Sequence, residues 1–127
     1  MISVDVVGNK VSTGSIDHFL RKLVKKDWSQ VLKKYAEDGV KALAEATPRD
    51  SGKTADSWGY EIEENDRGLT IYWTNSNVNK HVNIAIIIQY GHATGSGGWV
   101  EGRDYINPAL RPIFDQMADA LWKEVSS

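Results

Sequence analysis

The 127-residue chain contains no cysteine, three prolines, two methionines and two phenylalanines. Without cysteine there is no disulfide framework, no thiolate nucleophile and no Cys-based zinc site, a composition suited to a reducing compartment. No run approaches the ~20 apolar residues that a membrane-spanning helix needs. The start, MISVDVVGNK, lacks the charged opening and apolar stretch of a secretory signal, so none is expected. Repeats, low-complexity tracts and long linkers are also missing, and the length suits one domain spanning 1–127.

Charge of one sign is scarce as well: the formal net is −2, which argues against a dominant nucleic-acid surface. The distribution is uneven. Residues 10–41 carry eight Lys/Arg against four Asp/Glu, and the remainder of the chain is acidic. Arg21, Lys22, Lys25, Lys26, Lys33 and Lys34 form the basic cluster. It reads first as a solvated helix face, and second as a surface for DNA or an acidic partner, whose contacts would be salt-dependent.

Periodicity supplies the elements. Ile2, Val4 and Val6 alternate with Ser3 and Asp5, a weak strand signal ending at Gly8-Asn9. Ser15 can cap a helix carrying Ile16, Phe19, Leu20, Leu23 and Val24, and Asp27 a second one. On that second helix Trp28, Val31, Leu32, Tyr35, Gly39, Leu43 and Ala46 share a face. A glycine inside it costs roughly 1 kcal/mol relative to alanine, so close approach of a neighbouring element is expected at Gly39. Thr47-Pro48 ends the helix, because the residue before proline avoids the α region. Asp50-Ser51-Gly52 reads as a turn.

Trp58, Tyr60 and Ile62, then Leu69, Ile71 and Trp73, alternate as two strands joined by Asn65-Asp66-Arg67-Gly68. Residues 75–80 read as a polar loop. From Val82 to Tyr90 the period is ambiguous; β-branched enrichment favours a strand, with a short buried helix as the alternative. Leu110, Ile113, Phe114, Met117, Leu121 and Val125 stripe a C-terminal helix. It starts at Asn107-Pro108 or, because Pro112 also lacks an amide, nearer Pro112. The expected class is α+β: an antiparallel meander with a long N-terminal helical region and a C-terminal helix packed on one face.

Chemistry-bearing patterns are weak. Gly95-Ser96-Gly97-Gly98 is followed by Trp99-Val100, not by the Lys and Ser/Thr of a phosphate-binding loop, and reads as part of a flexible glycine-rich loop over 93–102. His18, His81 and His92 make no HxxxH pair, so no metal site is expected. There is no Gly-x-Ser-x-Gly elbow, and Glu61, Glu63 and Glu64 read as a solvated rim. No catalytic residues and no cofactor are expected. Of five tryptophans, Trp28 and Trp58 read as core or sheet-face residues, Trp73 sits opposite Trp58–Tyr60 in a hairpin register, Trp99 suits an exposed anchor, and Trp122 the margin of the C-terminal stripe.

Three segments carry a family resemblance: Ala46-Thr47-Pro48-Arg49-Asp50-Ser51-Gly52-Lys53 with Ser57, then Gln89-Tyr90-Gly91-His92, then Arg103-Asp104-Tyr105-Ile106-Asn107-Pro108-Ala109-Leu110. In order and spacing they resemble the minor tail, or tail-completion, proteins of long-tailed lambdoid-type bacteriophages, which act where the head joins the tail. The resemblance covers about Trp28 to Val125 and leaves 1–27 as an N-terminal extension. Thr54 stands where the family has leucine, Gln89 where glutamate is common, and Asp104-Tyr105-Ile106 where a Pro-Phe-Leu type triplet is usual. The resemblance implies a virion structural protein of the neck or tail, present in the host cytoplasm during assembly. Its partners would be copies of itself, other neck and tail proteins and the portal complex, with DNA in the lumen and no membrane. Within the apolar and glycine-rich segment from Ile84 to Trp99, the candidate interface residues are Ile86, Ile88, Tyr90, His92 and Trp99. A small nucleic-acid or host-factor binding module using the basic helical region is the competing expectation.

Overall fold

The computed structural model describes residues 5–7, 10–13, 28–48, 52–65 and 68–126. The expected helix over 16–24, its Ser15 cap and the Asp27 cap lie outside them. Four strands form an antiparallel sheet in the order β1-β2-β4-β3: β1 Asp5–Val7, β2 Lys10–Ser12, β3 Trp58–Asn65 and β4 Gly68–Asn75. The long hairpin keeps strict register from Trp58 opposite Asn75 to Asn65 opposite Gly68. The α+β class is as the sequence indicates, with the N-terminal strand pair extending the central hairpin on the β4 side.

The period-2 pattern decides which sheet face is covered. Ile71 and Trp73 of β4 are fully buried, with Val11 of β2 beside them. Helix α1 (Trp28–Ala46) lays Leu32, Ala36, Gly39 and Leu43 against this face. Each such large aliphatic side chain contributes about 1.5–3 kcal/mol by leaving water. Gly39 is where the close approach occurs: a Cβ there would lie 2.6 Å from the Trp73 indole. The indole N–H donates to the Ala36 carbonyl at 2.9 Å, and its ring stacks on Phe114 with centroids 5.8 Å apart. Trp73 thus joins the sheet to both helices, because Phe114 belongs to α4 (Ile106–Ser126).

The end of α1 is fastened by side chains. Thr47 Oγ1 donates to the Leu43 carbonyl at 2.6 Å and accepts from the Trp58 indole N–H at 2.9 Å. One helical turn follows, α2 (Gly52–Ala55), where the sequence suggested only a turn. Buried Thr54 anchors it: its carbonyl accepts from Asn75 Nδ2 and its hydroxyl from Asn77 Nδ2, both at 2.8 Å. Asn75 Oδ1 accepts from the Asn77 amide at 2.9 Å, and Asn83 Nδ2 donates to the Asn75 carbonyl at 3.2 Å.

Two expectations change here. The polar loop after Asn75 contains a small hairpin, β5 (Val78–Asn79) with β6 (Val82–Asn83). Its turn residues Lys80 and His81 have φ of 51° and 67°, the left-handed pair that matches strand twist in two-residue hairpins. Residues Ile84–Tyr90 form helix α3, not the favoured strand. β-branching yielded to tertiary context: Ala85 and Gln89, four apart, are the buried pair, a helical spacing.

Candidate functional site

Helix α3 stops at Gly91, whose φ of 83° and ψ of 174° suit glycine alone. The chain then enters a second small hairpin, β7 (Gly91–Ala93) with β8 (Trp99–Glu101). The ends of the expected glycine-rich loop are therefore paired strand. Its tip is closed by the Thr94 amide donating to the Gly98 carbonyl at 2.9 Å, while Thr94 Oγ1 accepts from the Gly98 amide at 2.9 Å. Glycines recur where backbone meets backbone. A Cβ on Gly91 would lie 2.5 Å from the Val100 carbonyl oxygen, and one on Gly102 would lie 2.4 Å from that of Gln89.

Gln89 locks this unit to the C-terminal helix. Its Oε1 accepts from the Tyr105 amide at 3.0 Å and the Ile106 amide at 2.9 Å, two donors that the first turn of α4 otherwise leaves unpaired. Its Nε2 donates to Asp104 Oδ1 at 2.8 Å, and Asn107 Nδ2 donates to the same oxygen at 2.8 Å. The Gln89 bond, then that of Asn107, holds the Asp104 carboxyl below the usual range. The Tyr105 hydroxyl donates to the Ala85 carbonyl at 2.7 Å, and burial pushes its ionisation up. This cap explains why α4 begins at Ile106 and not near Pro112, which lies inside the helix.

The five interface candidates separate by exposure. Tyr90 is 56% exposed and Trp99 is 59% exposed, with Val100 at 45% beside it. The Trp99 indole lies over Gly91, so the two aromatic residues flank one glycine. Ile86 and Ile88, by contrast, are half-buried and pack against the core. His92 is half-buried, and its Nδ1 has no hydrogen-bond partner. Trp122, expected beside the core stripe, is 66% exposed.

Arg21, Lys22, Lys25 and Lys26 lie outside the described residues. Lys33 and Lys34 are exposed on α1, but acids interleave with them. Lys34 pairs with Asp38 at 3.4 Å, and Lys33, Glu37, Lys41 and Glu45 follow one another at four-residue steps. Such alternation is what a solvated helix face carries. Glu61 of the acidic rim is ion-paired with Lys10, whose ammonium lies over the Tyr72 ring.

Among the described residues, no three His, Asp or Glu side chains converge as metal ligands do, and no helix is long and apolar enough to cross a membrane. An open groove of about 400 Å³ lies between α1 and the start of β3, lined by Glu37, Val40, Lys41, Trp58, Gly59 and Tyr60. No protein-family model, curated protein or solved structure matches the chain.

Proposed function

We propose that the protein is a phage virion structural protein of the neck or tail-completion type, joining or completing the head–tail interface through ring assembly. The observation that carries this reading is the α3–β7–β8 unit, which exposes Tyr90 at the end of α3 beside Trp99 and Val100 of the hairpin. Single exposed apolar residues are ordinary, but two large aromatics around one glycine, where a helix end meets a hairpin in close backbone packing, have the character of interface anchors. The three sequence segments that carry the resemblance also mark structural joints: the end of α1, the α3–β7 corner and the capped start of α4. A closed ring repeats one such contact at every subunit.

The test is genetic and visual. In a phage carrying this gene, an early stop codon should yield filled heads without joined tails by electron microscopy, and Trp99→Ala should reproduce much of that defect while the protein stays folded. Normal particles from the stop-codon phage would overturn the proposal.

A further inference from the structure

We infer that the groove between α1 and β3, with the free edge of β3, is the acceptor for the β7–β8 hairpin of a second copy of this chain. This rests on the reading of the protein as one that assembles with its own copies.

The sheet ends at β3, which pairs only with β4 among the described residues. The Ser76 amide donates to the Ser57 carbonyl, so odd-numbered residues of β3 bond to β4. Trp58, Tyr60 and Ile62 then turn their backbone N–H and C=O groups outward. An unpaired edge of this kind is a template for another strand.

The hairpin has the matching parity. Thr94 and Gly98 exchange the first bond of its ladder, so His92 and Val100 bond to each other and Trp99 and Glu101 point their backbone groups away from β7. When two such edges meet in antiparallel fashion, directly opposed residues share a face. Trp99 and Glu101 of one copy then lie on the same face as Trp58 and Tyr60 of the other, the face that lines the groove. Trp99 fills the groove against Val40 and Tyr60. Lys41 at the groove and Glu101 on the hairpin each lack an ion-pair partner among the described residues, and the docking brings them together.

Charge also selects against the simplest competitor. Antiparallel pairing of β3 with its own copy would crowd Glu61, Glu63 and Glu64 of both chains along one edge, and like charges set opposite one another destabilise a strand pair. The hairpin-into-groove contact uses two different surfaces, so within a pair one subunit keeps its groove free and the other its hairpin, and the chain of contacts can close into a ring.

The measurement is sedimentation equilibrium of the purified full chain up to about 1 mM, the weak end of protein association. Wild type should self-associate. Trp99→Ala and Lys41→Glu, both at exposed positions, should each weaken association about tenfold or more, as loss of an interface anchor does. An equimolar mixture of the two variants should form dimers and nothing larger, because the first still offers an intact groove and the second an intact hairpin. Adding Glu101→Lys to Lys41→Glu should restore association. Wild type that stays monomeric throughout, a mixture that stays monomeric, or variants that associate as wild type does would overturn the inference. Those outcomes leave the stop-codon phenotype untouched, so the two proposals fail separately.

Discussion

At the scale of single residues, Gln89 bears more structure than its place in an apolar run suggests. Removing it in Gln89→Ala leaves the Tyr105 and Ile106 amides without an acceptor in a buried corner, and the loss should be about 2–3 kcal/mol, read from urea unfolding. Asp104 makes the same joint sensitive to acid. Its pKa is depressed in the folded state, so its contribution is present above the unfolded value of about 3.9 and is lost as pH falls through the folded one. Urea unfolding of Asp104→Asn should therefore fall less than that of wild type between neutral pH and about pH 3. Gly39 was the most legible residue of the fold: a glycine in the buried stripe of a helix announces a close neighbour, though not which one. With the rigid Trp73 indole 2.6 Å from the position of a Cβ, Gly39→Ala should destabilise by about 1–3 kcal/mol, despite alanine's better helix propensity.

Among the elements, α1 and the β3–β4 hairpin were readable because one face of each is buried and the other solvated, so the burial period writes itself into the residues. Helix α3 was not. Seven residues hold two turns, and half-buried isoleucines on several sides blur any period. The β7–β8 hairpin escaped for another reason: its strands are three residues each and largely exposed, so there is no alternation to see. Its glycines carried the signal instead. Gly91→Ala combines a glycine-only backbone with a 2.5 Å clash, and should cost about 2 kcal/mol or more. Hydrogen exchange should show the hairpin amides losing protection before those of β4.

For the whole molecule, stability and assembly should separate. Leu43→Ala empties a fully buried site on α1 and should cost about 2–5 kcal/mol in thermal or urea unfolding. Trp99→Ala should stay within about 0.5 kcal/mol of wild type in the same measurement, as surface substitutions do, while self-association falls. The candidate site was half visible beforehand. Trp99 and Tyr90 stood out as aromatics around a glycine-rich segment, whereas the groove that faces them in the proposed assembly joins residues from two elements distant in sequence, Val40 with Trp58 and Tyr60.

The amino-acid sequence by itself determined the α+β class, the long amphipathic helices, the central hairpin and its register, because each follows from local periodicity and turn chemistry. Tertiary structure alone decided that Ile84–Tyr90 coils, that Gln89 caps a helix beginning seventeen residues downstream, and that Ile86 and Ile88 pack half-buried against the core while Tyr90 and Trp99 face water. Those outcomes depend on which surfaces meet across the fold, and no local pattern records that.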